Sequence, residues 1–274
     1  LVNDVTNPFY AMMFREAEQL AARDGLSLVF AESGWSADRE ERVIEGMIQS
    51  RVLGMIICLS EKGTRGTELL DQFNVPYVAV DSRPGSYTGA YVGNDFEAAA
   101  ELAAAHLLEI GCKRPALFTA DAENQSFSAF ARIRTHFECA VRKSGRDLPA
   151  ERIVNSGLTV QAGAEAYEQA IAAGFEADGI FCANDLCAMG VMEAAEKRGL
   201  SVGEQLAIIG IDDISASSLA RISLTSISQP FPQIAQDAMA ALIDAVQNKT
   251  KPAIQKERVP SLIRRGSTLT FKRA

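Results

Sequence analysis

Few residues in this chain of 274 are arranged for bond-making chemistry. Asp212 and Asp213 are neighbouring carboxylates behind an apolar run, and paired carboxylates can divide general acid and base work across one bond. Adjacent residues at a strand end diverge, however, so this pair is badly placed to flank a scissile bond. The two histidines, His106 and His136, fall inside helical patterns. A Ser-His-Asp arrangement needs a histidine at a cleft edge, so helix-surface or half-buried positions are expected for both. No nucleophile elbow, phosphate loop or dinucleotide fingerprint occurs, and Gly63-Thr64-Arg65-Gly66 has the spacing of none of them. The five cysteines, Cys58, Cys112, Cys139, Cys182 and Cys187, are odd in number and read as buried thiols of a reducing cytosol. Cys182 and Cys187 lack zinc-knuckle spacing, and no second pair answers them. These patterns point away from catalysis, and neither a cofactor nor a metal is expected.

The same residue types are suited to holding a small polar ligand. Hydroxyl groups are held by planar amides and carboxylates, while an apolar or aromatic face covers a sugar ring. Asp81, Asn184, Asp212 and Gln229 each stand where an apolar run ends. Their bland alternatives are helix caps and turn formers. For Asn184 that alternative is serious, because a helical pattern starts at once behind it. Asp81 and Asp212 cap no obvious helix, which favours a ligand role.

The elements that must position these residues are clearest over residues 178–213. A short apolar run at 179–183 ends on Asn184-Asp185. Ala188, Val191, Met192 and Ala195 follow at helical spacing, and Gly199 stands where a helix closes. A second apolar run, 206–211, stops on Asp212. Strand, helix and buried strand make a βαβ unit with parallel strands, so Asn184 and Asp212 lie at carboxyl ends, the edge where open α/β sheets bind ligands. The rhythm continues elsewhere. Upstream, residues 1–3 read as the end of a clipped strand, and Asn7-Pro8 opens a helix. Strands are expected at 26–31, 52–59, 75–80, 115–119 and 224–228. Helices are expected at 37–49, 64–73, 96–110 (capped by Asn94), 128–143, 160–173 and 234–247. Residues 152–156, 256–259 and 262–264 read as extended. The loop 82–89 is the first candidate boundary. Strands alternating with helices throughout mean an α/β fold with parallel sheets, in one wide sheet or two smaller ones.

Segments spread over nearly the whole chain carry a resemblance. They are VTNPFY near the start, VPYVAVD ending at Asp81, YVGND ending at Asp95, the 182–213 stretch, LTSISQP ending at Pro230, and LIRRGST ending at Thr268. In this order and spacing they resemble the effector-binding core of the lactose-repressor (LacI/GalR) family of bacterial transcription regulators. The resemblance implies two similar Rossmann-like subdomains, of the periplasmic-binding-protein type, joined by three crossovers with the ligand in the cleft between them. Residues 1–93 with 229–256 would form one subdomain, and 94–228 with 257–274 the other. It further implies that Asn7, Phe9 and Tyr10 face the effector and that Asp81, Asn184, Asp212 and Gln229 make polar contacts. Leu158 stands where an aromatic residue often covers the ligand, which counts against tight stacking on a planar molecule. The family's arginine before a Gly-aromatic pair has two competitors, Arg132 and Arg134, without the glycine. Arg132 is favoured, and either would fork onto hydroxyls or a carboxylate.

Composition agrees with a ligand-sensing domain. The formal charge of −8 and pI near 5.0 make a poor nucleic-acid surface, which needs a basic stripe. The resemblance implies that operator DNA is read through an N-terminal helix-turn-helix absent from this chain, and that the protein works as a homodimer in the cytoplasm. No apolar run approaches the ~20 residues of a membrane span. The effector is expected to be a sugar or sugar derivative whose binding alters DNA affinity. A periplasmic sugar-binding protein of a transport system would use the same fold. Odd free cysteines, no secretory leader and the LIRRGST segment stand against it.

Overall fold

Short apolar runs alternate with amphipathic helices, and the strands they form collect into two sheets. The computed structural model describes residues 1–60, 64–81, 87–120 and 129–271, so part of the 82–89 loop and residue 128 lie outside the described residues. In chain order, α1 (Pro8–Arg23), α2 (Ala37–Gln49), β1 (Met55–Ile57), α3 (Thr64–Gln72), β2 (Tyr77–Asp81) and β3 (Tyr91–Asn94) belong to a first compact unit. A second unit follows with α4 (Phe96–Glu109), β4 (Pro115–Thr119), α5 (Ala129–Lys143), β5 (Ile153–Asn155), α6 (Val160–Ala172), β6 (Gly179–Cys182), α7 (Asp185–Lys197), β7 (Ala207–Ile211) and β8 (Thr225–Ser228). Then α8 (Phe231–Asn248) and β9 (Gln255–Arg258) return to the first unit, and β10 (Ser261–Ile263) with the one-turn α9 (Gly266–Leu269) to the second. Three boundaries differ from the sequence reading. Asn94 stays with the first unit as the last residue of β3. Gln229 goes with the second unit, where it hydrogen-bonds Asp212, and residues 257–258 stay with the first, because β9 pairs with β3 as far as Arg258. No helix among the described residues is long and apolar enough to cross a membrane.

The first unit's sheet runs β1-β2-β3-β9, all parallel. Ile44 of α2 and Leu70 of α3 pack with Ile57, Ala79 and Tyr91, while Ala17 and Ala21 of α1 pack with Met239 of α8 in a separate cluster. The expected strand at 26–31 forms no ladder. At its near end Leu26 N–H turns back to the Ala21 carbonyl of α1 (3.0 Å), and at its far end Val2 N–H donates to the Ala31 carbonyl (3.0 Å), Ser33 N–H to the Val2 carbonyl (2.8 Å), and Val2 bridges Glu32. An extended segment becomes a strand only where a neighbour offers backbone groups, and residues 27–30 have none among the described residues.

The second unit's sheet runs β10-β8-β7-β6-β4-β5, parallel except for β10, which pairs antiparallel with β8. Both faces are covered, as the period of two along a strand requires. Leu117 and Phe181 point into a core with Leu107 and Phe137 of α4 and α5, whereas their neighbours Phe118 and Ile180 point into a core with Tyr167 and Val191 of α6 and α7.

Helix starts are set by short polar side chains. Asp95, not the expected Asn94, caps α4 by accepting from Ala98 N–H (2.9 Å), because Asn94 is taken up as the last residue of β3, paired with Arg258. His106 is fully buried rather than at the helix surface. Its Nε2 meets Thr268 Oγ1 at 2.8 Å, and Thr268 in turn meets Thr225 Oγ1 at 2.7 Å, so the final segment covers this face of α4. Burial, aided by nearby Arg264 and opposed by Glu109, lowers the His106 pKa and so favours the neutral ring. His136 is half-buried beside Glu97, in keeping with the sequence expectation. Four cysteines are buried, and Cys139 is exposed on α5 instead.

Helices α6 and α7 meet backbone to backbone. A Cβ on Gly190 would strike the Val160 carbonyl, and one on Gly163 the Cys187 carbonyl. A Gly190→Val substitution should therefore force the pair apart and cost about 1–3 kcal/mol in overpacking, read as a lower urea midpoint. Removing the α4 cap with Asp95→Ala should cost about 1 kcal/mol in the same assay, whereas Asn94→Ala should leave α4 capped.

Candidate functional site

The carboxyl ends of parallel strands face the amino ends of the following helices, and polar side chains collect there because backbone donors must be met. In the second unit β4 lies between β5 and β6, so the chain winds outward in both directions from this point. Along this edge stand Thr119 ending β4, Ser156 after β5, Asn184 after β6, Asp212 after β7 and Gln229 after β8. All five are buried.

Asn184 fills the capping role and reaches further. Its Oδ1 accepts from Cys187 N–H (2.8 Å), while its Nδ2 donates to the Leu158 carbonyl (2.9 Å), fixing the loop that presents half-buried Leu158 before α6. Gln229 Nε2 donates to Asp212 Oδ1 at 2.6 Å, leaving Gln229 Oε1 buried with no hydrogen-bond donor among the described residues. The chain is strained here, since Asp212 has φ 117° and Asp213 φ 53°, both in the region that favours glycine. The turn is held by Ser226 Oγ, which accepts from Asp213 N–H at 3.1 Å. It is also held by Arg265, whose guanidinium meets Asp213 at 2.7 Å and the Leu224 carbonyl at 2.8 Å.

Arg132 and Arg134 are both half-buried on α5, yet at about 100° per residue they point to opposite sides of the helix. Arg132 turns towards α4, where its guanidinium is 3.5 Å from Glu97. Thr119 and Ser156 escaped the sequence reading. Ser156 accepts from the Cys187 thiol at 3.2 Å, and Thr119 Oγ1 is buried without a partner among the described residues. A polar residue ending an apolar run was the available signal for both.

The first unit presents its own edge. Asn7 caps α1 by accepting from Phe9 N–H (3.0 Å), which places Tyr10 so that its hydroxyl donates to Asp81 Oδ2 at 3.0 Å. Tyr91 donates to the Asp81 carbonyl (2.9 Å), supporting a residue whose φ of 69° lies in the left-handed region. Burial raises the Asp81 carboxyl to about 6, against the opposing pull of the Tyr10 hydroxyl. Phe9 is 3% exposed, its ring edge-on to Tyr10 and Phe231. Asn3 Nδ2 and both polar atoms of the Asn94 amide are buried without partners among the described residues; the sequence marked Asn94 only as a helix cap and did not mark Asn3.

Among the described residues no group of three or more His, Cys, Asp or Glu side chains is placed to hold a metal ion. What the second unit's edge offers instead is a row of planar acceptors and amides with fixed orientations. Such a row can bind hydroxyl groups.

The periplasmic binding protein-like domain family matches residues 104–268, more than half of the chain. The chain is 28% identical over 272 residues to the ribose operon repressor of Escherichia coli K12, covering 97% of this chain and 80% of that protein. It is 26% identical to the transcriptional repressor PurR of Erwinia tasmaniensis, covering 95% of this chain and 76% of the relative. The fold is shared with the LacI family regulator of Enterococcus faecium solved with bound ribose, at a TM-score of 0.84 and 24% identity over 99% of this chain and 98% of that one. These relatives are repressors rather than enzymes. The chain belongs to the periplasmic binding protein-like domain family, as the effector-binding domain of a LacI/GalR-type transcription regulator.

Proposed function

We propose that this domain senses a sugar or sugar derivative and that binding alters the DNA affinity of an attached helix-turn-helix module, the protein acting as a homodimer in the cytoplasm. The observation that carries the reading is the Asp212–Gln229 pair. Gln229 Oε1 is a buried acceptor with no donor among the described residues, held beside the Asp212 carboxylate, and a sugar hydroxyl supplies the donor it needs. Asn184 adds a planar amide, Arg132 or Arg134 a cation, and Leu158 an apolar face without ring stacking. We assign Asn7, Phe9, Tyr10 and Asp81 of the first unit to the same effector. A regulator with bound ribose on this fold and a ribose operon repressor among the relatives support a sugar of this size. An effector that favours one state of the domain shifts the population of DNA-binding-competent protein by its differential affinity.

The test is a thermal-shift and calorimetric screen of ribose, other pentoses and hexoses, sugar acids and purines. A sugar present at about 100 times its dissociation constant adds roughly 2.7 kcal/mol. For a domain of this size that raises the midpoint by about 5–10 °C, at roughly 2–4 °C per kcal/mol. Hydrogen bonds to a charged group contribute about 1.5–3 kcal/mol, so Asp212→Ala should weaken the sugar roughly 10- to 100-fold. Gln229→Ala should weaken it by about tenfold or less. A purine hit with no sugar response, or a sugar hit indifferent to Asp212→Ala, would overturn the assignment.

A further inference from the structure

The proposed site rests on a turn whose conformation its own residues disfavour. Asp212 and Asp213 both carry positive φ, and the only glycine nearby, Gly210, lies inside β7. Such a turn persists where surrounding contacts over-determine it. The first residue of α7 supplies several of them. Asp185 is 0% exposed, and its carboxyl lies against Gly210, where a Cβ would collide with Oδ1. Oδ2 accepts from Ile214 N–H at 2.9 Å and from Ser217 Oγ at 2.5 Å. Oδ1 accepts from Ser226 Oγ at 2.6 Å, and that same oxygen receives Asp213 N–H at 3.1 Å. The backbone amides of Asp213 and Ile214 are thus met by side chains, directly or through one serine. Asp212 N–H, by contrast, is bonded to the Ile227 carbonyl in the sheet (3.0 Å).

We propose that Asp185 is a positioning residue of the effector site: its buried carboxyl clamps the Asp212–Asp213 turn to the start of α7 and so fixes Asp212 relative to Asn184. Asn184 and Asp185 then work in opposite directions from one helix start. The asparagine grips the Leu158 loop on one side, and the aspartate grips the strained turn on the other. This deepens the sugar-binding reading and rests on it for the effect on affinity, but the clamp itself does not.

The hydrogen bonds, rather than the charge, hold the turn. Burial raises the Asp185 carboxyl from 3.8 to about 7, opposed by the bonds from Ser217, Ser226 and Ile214, with neighbouring Asp213 adding to the rise. The other ionisable groups close by are the buried thiol of Cys182 on β6, itself pushed up by burial, and Arg265 beyond Asp213. A protonated Oδ1 can donate to Ser226 Oγ while Oδ2 still accepts from Ile214 and Ser217, so the neutral form can keep the clamp closed. An asparagine can reproduce that pattern, with its amide NH₂ towards Ser226. Since the folded pKa is raised, the carboxyl's contribution to stability is present at low pH and is lost as pH rises through about 7.

Amide hydrogen exchange on the ligand-free protein tests the clamp, corrected for intrinsic rates. Asp185→Ala should speed exchange at Asp213 and Ile214 roughly 5- to 12-fold, as expected for losing hydrogen bonds of roughly 1–1.5 kcal/mol each, while Asp212 N–H stays slow. Asp185→Asn should restore slow exchange. It should also be more stable than the parent at about pH 8, an advantage that shrinks as pH falls below about 7 and disappears only towards about pH 4. Should Asp185→Ala not fold, Ser226→Ala replaces it and should speed exchange at Asp213. With ribose or the sugar identified by screening, affinity should fall at least about tenfold in Asp185→Ala and recover in Asp185→Asn. Parental exchange at Asp213 and Ile214 in both the alanine variants that fold would overturn the clamp. Fast exchange with unchanged sugar affinity would overturn its role in positioning. A domain that binds no sugar would fail the functional reading, while the exchange data would still decide the clamp.

Discussion

The polar side chains along the carboxyl edge of the six-stranded sheet are shut away from water, and a buried polar group costs free energy unless a partner meets it. Much of the second unit's local structure answers that constraint. Asn184 meets a helix donor with one end of its amide and a loop carbonyl with the other. Asp185 collects three donors, and Arg265 satisfies both Asp213 and a carbonyl left open at Leu224. Among the described residues Gln229 Oε1 is left without a donor and the Thr119 hydroxyl without a partner. A binding edge is the place where such shortfalls can be tolerated, because a ligand makes them good.

Precision at that edge depends on how closely α6 and α7 approach. Without side chains at Gly163 and Gly190 the two helix backbones touch, so the loop leading into α6 comes within reach of Asn184 at the start of α7. Small residues deep in a helix pair thereby set the position of Leu158 at the surface. The same logic operates at Gly210, whose bare Cα leaves room for the Asp185 carboxyl.

The βαβ core was legible because its signals are local: a short apolar run, a capping asparagine, a helical stripe and a second run ending in aspartate. The strand-end positions of Asp81, Asn184, Asp212 and Gln229 followed from that pattern. What the pattern could not express was partnership across long separations. Asp185 looks like an ordinary first-turn acid until Ser217 and Ser226 are brought to it from 32 and 41 residues away. His106 reads as a helix-surface or half-buried residue until Thr268, 162 residues later, covers it. Asn94 and Asp95 are equally good caps by type, and only the pairing of β3 with β9 decides between them. Residues 26–31 have strand composition, yet composition does not supply a neighbour.

The cover over His106 has a consequence for the last turn of the chain. Thr268 seals a ring whose burial lowers its pKa, so any loosening of α9 from α4 would return that imidazole to water and let it take up a proton more readily. Fraying of this one helical turn would thus be read at a single histidine on a different element.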